Sequence, residues 1–424
     1  MKQYRYRICD EILQRKLEAK GAILIEGTKW CGKTTTAEQA SSSVLYLANV
    51  ETQKNSVLIA ETNPSSLLKG KTPRLLDEWQ TVPKLWDAVR FEVDKRGDVG
   101  QFILTGSAVP YDSEDILHTG TGRFSWIKMR TMSLFESGES TGEVRLSALF
   151  SAPEIIEGNN QLSIEDLAYV ICRGGWPGAL NLKRAASLEQ AFDYYDAVVH
   201  SDINRADNIS KKPERVKRLM RSFARNQGTQ TTISVFREDI AVNDNDSLNV
   251  DTISSYITAL KLIFVIEDMP AWNPNLRSKT AIRTADTRYF VDPSIASAAL
   301  GLGPGDLVSD LKTFGFLFET LCVRDLRVYA DALSGEVYHY RDKSGLECDA
   351  VIHLRNGSYG LVEIKLGGET LIEEAAKSLT SLKNKIDTDK MKEPSFLMVL
   401  VGVGSFAYRR RDGIYVVPVG CLAP

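Results

Sequence analysis

The segment that most constrains the fold is Gly27–Thr34, which reads GTKWCGKT. It follows the apolar run Ala22–Ile25 and precedes a helix-forming stretch that begins at Thr35. This order of strand, loop and helix is the context of the GxxxxGK[ST] phosphate-binding loop. Such a loop places a helix N-terminus at the end of a buried strand, as in parallel α/β sheets. We therefore predict that fold class for the first third of the chain.

The residue types in this segment suit a nucleotide with a bound magnesium ion. The glycines allow backbone N–H groups to surround a β-phosphate, and the helix N-terminus adds positive potential. Lys33 is expected to reach the β- and γ-phosphates, and the Thr34 hydroxyl to bind Mg²⁺. The residues expected to contact the nucleotide are Gly27, Thr28, Lys29, Trp30, Cys31, Gly32, Lys33, Thr34 and Thr35.

Two adjacent carboxylates, Asp77 and Glu78, follow the apolar run Arg74–Leu76 about 45 residues downstream. At the end of a strand, Asp77 can hold the Mg²⁺ shell while Glu78 polarises an attacking water molecule. An Asp-Glu pair is a weak signal when it stands alone. Behind a phosphate-binding loop it becomes a strong one, and it predicts hydrolysis of the nucleotide.

Two further positions are candidates for catalysis. Leu104-Thr105-Gly106-Ser107 ends the next apolar run, so Ser107 or Thr105 is a candidate to lie between the water and the γ-phosphate; a helix N-cap is the alternative. Arg123 is a candidate for stabilising transition-state charge, within its own subunit or on a neighbouring one. A surface arginine is the other interpretation of Arg123.

The identity of the nucleotide depends on one further motif. The segment Asn384–Asp387 fits the NKxD pattern that reads guanine, but no strand precedes it, and it lies about 350 residues from the phosphate loop. We interpret it as a chance match on a helix surface. The predicted cofactors are therefore ATP and Mg²⁺.

Composition sets broader limits. The 424 residues suggest two or three domains, and a net charge of −3 gives no sign of a polyanion partner along the whole chain. The N-terminus lacks a signal-peptide pattern, and no apolar run reaches membrane-spanning length. Six cysteines without CxxC spacing indicate reduced thiols. We expect a cytoplasmic protein without a membrane partner.

The pattern of apolar and polar residues along the chain indicates where its helices and strands lie. Buried strands are predicted at 22–25, 44–47, 74–76 and 102–104, and a helical region from about 160 to 225. Helices and then short strands are predicted for 230–290, and a helix followed by alternating strands and a helix from 315 onward.

The chain resembles prokaryotic AAA-type ATPases whose C-terminal half is a domain of unknown function. The motifs that carry the resemblance are Arg7, the phosphate loop, Leu76–Gln80 with Pro83, Leu104–Ser107, Gly122-Arg123, Leu134–Glu136 and Gly174–Pro177. Thr28 and Lys29 stand where proline and arginine are common in the family. The resemblance implies that Pro177 contacts the nucleotide from a helical lid; a helix-breaking turn is the alternative.

The resemblance also implies a winged helix at 229–300, with Val250–Ile257 in its second helix. The exposed residues there are Asp, Ser and Thr, which argues against strong phosphate contacts. Basic residues lie upstream instead, at Lys211, Lys212, Arg215, Lys217, Arg218, Arg221 and Arg225. A winged helix for protein contact and one for DNA contact both remain open.

In the last domain, Asp349, Glu363 and Lys365 fit the PD-(D/E)xK nuclease pattern, with Glu319 on the preceding helix. Two carboxylates on one face would bind Mg²⁺, and a lysine would orient water. A two-residue turn would place Asp349 and Glu363 on opposite faces. A three-residue loop, Arg355–Gly357, pairs them directly and gathers Cys348, Ala350, Ile352, Leu354, Val362 and Ile364 on one apolar face. We predict this second register.

These observations predict four parts: a P-loop ATPase core at 1–145, a helical lid at 146–228, a winged helix at 229–300 and a restriction-endonuclease-like α/β domain at 301–424. The leading function is ATP binding and hydrolysis coupled to conformational change in the C-terminal half. Two alternatives stay open. One is an ATP-regulated, Mg²⁺-dependent nuclease; the other is a nucleotide-sensing switch that recruits a protein partner and turns over slowly or not at all.

Overall fold

The computed structural model describes residues 4–108, 119–206, 209–241, 249–274 and 285–424. The chain divides into two compact units. The first comprises Met1–Thr131, His200–Lys211 and Ser255–Val265, and the second comprises Met132–Val199, Lys212–Ser254 and Ile266–Pro424.

The first unit is built on a five-stranded parallel sheet with the strand order β2-β3-β4-β1-β5. Its strands are β1 (Ala22–Glu26), β2 (Ser43–Tyr46), β3 (Arg74–Asp77), β4 (Phe102–Gly106) and β5 (Phe124–Lys128). The α/β fold class and the four predicted strands are confirmed. The edge strand β5 was not predicted, because Ser125 and Lys128 interrupt its apolar pattern.

Helices connect β1 to β2, β2 to β3 and β3 to β4, as crossover connections between parallel strands require. The helical segments of this region are Ile8–Leu17, Lys33–Ala40, Gln53–Thr62, Pro64–Ser66, Trp79–Thr81 and Leu85–Arg96. An aromatic group closes one end of the core: Trp86 stacks on Phe124 with ring centroids 3.9 Å apart, and Trp79 lies 5.0 Å from Trp86. The helix Leu85–Arg96 ends at Gly97, whose φ of 72° suits glycine.

Helices dominate the middle of the chain, as predicted for residues 160–225. The segments are Leu134–Ser137, Leu146–Leu149, Ile164–Arg173, Arg184–Ala197, Val198–Asp202, Ile203–Ala206, Pro213–Arg225, Ile233–Ala241, Val250–Leu262, Pro293–Leu300 and Pro304–Ser309. Two short strand pairs accompany them: β6 (Val144–Arg145) pairs with β15 (Leu422–Ala423), and β7 (Ile266–Met269) pairs with β8 (Thr287–Phe290).

The second unit also contains a six-stranded mixed sheet with the order β13-β14-β12-β11-β10-β9. Its strands are β9 (Gly335–Arg341), β10 (Glu347–Leu354), β11 (Tyr359–Lys365), β12 (Phe396–Val401), β13 (Tyr408–Arg409) and β14 (Tyr415–Pro418). The helices Leu311–Ala332 and Glu369–Lys385 pack on this sheet, and the short helix Val419–Cys421 follows it.

The predicted register of the β10–β11 hairpin is confirmed. Ala350 pairs with Val362, and Gly357 in the loop has a φ of 82°. The predicted apolar face is present, and the opposite face is buried as well, since Val351 and Leu361 lie on it. The reason is that helices contact the sheet on both sides of this hairpin, so neither face needs to be polar.

All six cysteines lie in the described residues, and no disulfide joins any of them. None of the described helices combines the length and apolar character that a membrane span requires.

Candidate functional site

The phosphate loop joins the carboxyl end of β1 to the helix Lys33–Ala40, as predicted. Two positions need glycine. Gly27 has a φ of 153°, and a Cβ there would lie 2.0 Å from the Met129 carbonyl oxygen; Gly32 has a φ of 103°. Trp30 also has a positive φ, 63°, and its side chain is exposed. The loop is therefore held in a conformation that an ordinary turn would not adopt.

Lys33 lies within this loop. Its Nζ donates hydrogen bonds to the Gly27 carbonyl at 2.9 Å and the Thr28 carbonyl at 2.7 Å. The residue is buried, so its ammonium group is directed into the curve of the loop. An ammonium in this position offers the charge that phosphate oxygens bind.

The magnesium-binding candidates are adjacent, although they are 43 residues apart in the chain. Thr34 Oγ1 donates to Asp77 Oδ1 at 2.7 Å, and Thr105 Oγ1 donates to the same oxygen at 2.6 Å. The strand order explains this, because β4 lies between β1 and β3 and their carboxyl ends meet at one edge. A hydroxyl and a carboxylate are the ligands that Mg²⁺ prefers, so these residues fit the ion.

Glu78 has a positive φ of 55°, an unusual conformation for a residue with a side chain. Its carboxylate Oε2 accepts hydrogen bonds from Ser107 Oγ at 2.9 Å and from Gln80 Nε2, and its N–H donates to Thr105 Oγ1 at 3.2 Å. Both predicted candidates at the end of β4 therefore contact a carboxylate. The hydroxyl of Thr105 contacts Asp77, and that of Ser107 contacts Glu78. No role was predicted for Gln80, although it lies in the motif Leu76–Gln80 that carries the resemblance.

Arg123 lies away from the phosphate loop of its own chain. Its carbonyl accepts from the N–H of Ala22, at the amino end of β1, whereas the loop follows the carboxyl end. At about 3.3 Å per residue the two ends of β1 are roughly 13 Å apart. The guanidinium is exposed and pairs with Asp94 at 2.8 Å, which lowers the pKa of that carboxyl. The prediction that Arg123 acts on its own subunit's nucleotide is not supported by this position.

The side chains of Arg7 and Lys29 hold the phosphate loop through contacts that the sequence did not predict. Arg7 is buried and donates to the Cys31 carbonyl at 2.8 Å and the Arg130 carbonyl at 3.0 Å. Lys29 pairs with Asp202. The resemblance had singled out Arg7, but nothing in local sequence indicates what it contacts.

Pro177 belongs to the second unit, in a loop that follows the helix Ile164–Arg173. The loop is anchored by buried polar contacts: the N–H of Gly175 donates to Asp292 at 2.9 Å, and the indole of Trp176 donates to Ser294 at 2.9 Å. A Cβ at Gly175 would lie 2.1 Å from the Met132 carbonyl oxygen. The Gly-Gly-Trp sequence is thus explained by packing, and a nucleotide contact of Pro177 stays a prediction.

The same network contains a buried cation between two carboxylates. Arg324 contacts Asp292 at 3.1 Å and Asp325 at 2.7 Å, and all three side chains are almost fully buried. Asp325 also accepts from the N–H of Leu134 at 3.0 Å. Burial raises the pKa of Asp325 to about 6, although Arg324 opposes the shift.

The predicted carboxylate–lysine cluster is assembled at the end of the β10–β11 hairpin. Lys365 Nζ lies 3.0 Å from Asp349 and 2.8 Å from Glu363, while the half-buried Glu319 accepts from the Tyr289 hydroxyl at 2.7 Å. Burial and then the charge of Asp349 raise the pKa of Glu319 and that of Glu363 to about 8 each. Burial opposes the charge on Lys365, but the carboxylates outweigh it and raise the pKa of its ammonium.

These contacts do not fit a divalent cation well. The positive charge between the two carboxylates is that of Lys365, whose ammonium contacts both of them. Among the described residues, no group of three or more His, Cys, Asp or Glu side chains is arranged to hold a metal ion.

A stability measurement tests the protonation of Glu363. Its pKa is raised in the folded state, so between about pH 4.5 and 8 the folded protein holds a proton that the unfolded chain releases. Stability should fall as pH rises through this window, by up to about 1.4 kcal/mol per pH unit.

In Glu363→Gln, which cannot ionise, the urea midpoint should fall less between pH 5 and 8. The exposed Glu374→Gln serves as control and should keep the wild-type slope; an equal slope in Glu363→Gln would show that Glu363 is ionised.

Three family models match parts of the chain. Residues 19–137 match the AAA domain, residues 164–306 match a domain of unknown function (DUF8612), and residues 314–422 match a second one (DUF4143).

Two solved structures are distantly similar. A Walker-type ATPase of Pyrococcus abyssi is 14% identical with a TM-score of 0.43, and the match covers 68% of this chain and 94% of that one. The Hef helicase domain of Pyrococcus furiosus is 11% identical with a TM-score of 0.20, and the match covers 98% and 94%. These scores establish neither a shared fold nor a shared activity. No curated protein matches the chain.

Proposed function

We propose, from the premise that this chain carries an AAA-type ATPase domain followed by a C-terminal domain of unknown function, that it binds and hydrolyses Mg-ATP in its first unit. The family matches confirm the resemblance inferred from its motifs. They support ATP binding and hydrolysis at a coarse level, and the roles of individual residues are our proposal.

The observation that carries the proposal is the hydrogen bond between Thr34 and Asp77, 2.7 Å long, beside a lysine held inside a glycine-shaped loop. Lys33 and the loop N–H groups would bind the β- and γ-phosphates. Thr34 and Asp77 would hold Mg²⁺, which when bound neutralises charge on the phosphate oxygens.

Glu78 is the proposed general base. It would accept a proton from a water molecule as the water oxygen forms a bond to the γ-phosphorus. The bond between that phosphorus and the bridging oxygen breaks, the electron pair leaves with ADP, and the other product is inorganic phosphate. The contacts of Ser107 with Glu78 and of Thr105 with Asp77 orient these two carboxylates.

The first test is nucleotide binding by Lys33→Met. The variant loses charged hydrogen bonds to phosphate, so its Kd for ATP should rise by about 10- to 100-fold. A titration with a fluorescent nucleotide measures this. Lys20→Met removes a half-buried lysine that donates to the Gly122 carbonyl and should bind ATP like the wild type. Equal Kd values for wild type and Lys33→Met would count against the phosphate site.

The role of the rest of the chain is also a proposal. ATP hydrolysis would drive a conformational change in the module formed by 229–300 and 301–424, within the four-part division predicted from sequence. Support for DNA contact by a winged helix is limited. Of the basic residues between 211 and 225, Lys211 is buried, and Arg218 donates to the Ile240 carbonyl at 3.1 Å. We therefore favour a protein partner or self-association over DNA for this part of the chain.

The nuclease alternative has one observation in its favour, the convergence of Asp349, Glu363 and Lys365. The ion pairs within the cluster favour an internal charge cluster instead, so we propose no cleavage step. Metal-dependent cutting of DNA or RNA that disappears in Asp349→Ala would reverse this preference. A wild-type protein that binds ATP without turnover would favour the nucleotide-sensing switch.

A further inference from the structure

Gln80 lies at the catalytic edge of the sheet but has no role in the mechanism above. It belongs to the short helix Trp79–Thr81 that directly follows Glu78. Because Glu78 adopts a positive φ, the chain turns sharply there, and the side chains of Glu78 and Gln80 converge. Gln80 Nε2 donates to Glu78 Oε2 and lies 3.4 Å from Ser107 Oγ.

The orientation of this amide follows from its partners. Glu78 Oε2 is an acceptor, and it already receives a hydrogen bond from Ser107. The N–H₂ end of Gln80 must therefore face the carboxylate, because the carbonyl end would repel it. This leaves Oε1 pointing away from Glu78.

Gln80 Oε1 is a buried acceptor that lacks a donor. Among the described residues, none donates a hydrogen bond to it, and such an atom is costly to bury. Oε1 packs against Gly106, since a Cβ on that residue would lie only 3.1 Å from it. Gly106 pairs in register with Glu26, the residue directly before the phosphate loop. The orphaned oxygen therefore lies at the start of the phosphate site.

We infer that Gln80 is a positioning residue for the hydrolytic water, an inference that rests on the proposed ATPase function. Its Nε2 holds Glu78 in place, and its Oε1 accepts one hydrogen of the water while Glu78 receives the other. A water held by two acceptors has a lone pair directed away from both, toward the γ-phosphorus. The ligand of the orphaned oxygen is thus the reacting water.

The test compares Gln80→Leu with a matched control, Gln101→Leu. Gln101 is another glutamine of the same unit whose Oε1 is buried without a donor, and its Nε2 donates to the Asp98 carbonyl at 2.6 Å. It precedes β4 at the amino edge of the sheet, opposite the phosphate loop. The two variants therefore lose the same chemical group, near the carboxyl end of β4 for Gln80 and at its amino end for Gln101.

We expect kcat for ATP to fall about 10- to 100-fold in Gln80→Leu while Kd stays within about two-fold of wild type. Gln101→Leu should keep the wild-type kcat even where its thermal midpoint falls. If Gln80→Leu fails to fold, Gln80→Met, an unbranched side chain of similar length, replaces it.

Three results would overturn the inference: a Gln80 variant with wild-type kcat, a loss confined to Kd, or an equal loss of kcat in Gln101→Leu. The proposed function fails separately, when the wild-type protein shows no Mg²⁺-dependent ATP turnover. If the wild type and Gln80→Leu hydrolyse ATP equally fast, only the role of Gln80 is refuted.

Discussion

Replacing Glu78 by glutamine is expected to lower kcat for ATP hydrolysis by about 10²- to 10⁴-fold. Glutamine keeps the size of the side chain and can still accept a hydrogen bond from Ser107, but it cannot take a proton from water. Lys33, Thr34 and Asp77 are untouched, so the Kd for ATP should stay within about two-fold of wild type. Phosphate release and a nucleotide titration measure the two quantities.

A matched control for this variant is Glu61→Gln, on the helix Gln53–Thr62 of the same unit. Glu61 is exposed, so its replacement should leave kcat and Kd unchanged. Substantial turnover in Glu78→Gln would show that another group accepts the proton, and a parallel loss of ATP binding would mean that Glu78 shapes the site and is not the base.

The second large effect concerns stability. Arg324→Met is expected to lower the free energy of unfolding by about 3–5 kcal/mol, because it leaves two buried carboxylates, Asp292 and Asp325, without a cation. These carboxylates also hold the N–H groups of Gly175 and Leu134. Urea unfolding at pH 8 measures the loss. The loss should shrink at pH 5, below the raised pKa of Asp325 of about 6, since a protonated carboxyl group does not need the guanidinium.

Lys217→Met is the control for this prediction. Lys217 forms an exposed ion pair with Glu214 at 3.5 Å, and its loss should cost less than about 1 kcal/mol. If Arg324→Met lowers the free energy of unfolding no more than this control does, the buried ion pairs are energetically equivalent to a surface pair. The network around Arg324 would then not stabilise the loop at 174–178.

Most of the nucleotide site was predictable because its residues fall in a few short segments, each with a local sequence pattern of its own. The phosphate loop requires glycine at fixed spacings, and the apolar runs before it and before Asp77 are long enough to mark buried strands. The hairpin register was predictable for a similar local reason, since the loop length and Gly357 fix which residues pair.

Other features depend on distant partners. The contacts of Arg7 with Cys31 and Arg130, and of Lys29 with Asp202, join segments that no local pattern connects. Arg123 was a candidate for catalysis within its own subunit or on a neighbouring one, and the sheet places it at the amino end of β5, away from the phosphate loop of its own chain. The two buried faces of the β10–β11 hairpin follow from the helices that pack there, not from alternation along the strands.

The sequence by itself determined the phosphate loop, the α/β class and the identity of the two carboxylates, because spacing and turn chemistry act over a few residues. Only the tertiary structure decided which groups meet: strand order brought Thr105 to Asp77 and Ser107 to Glu78, and a turn at Glu78 directed Gln80 to the same place. The ion pair of Arg324 with Asp292 arises in the same way, because burial forces charged groups from separate segments to neutralise one another.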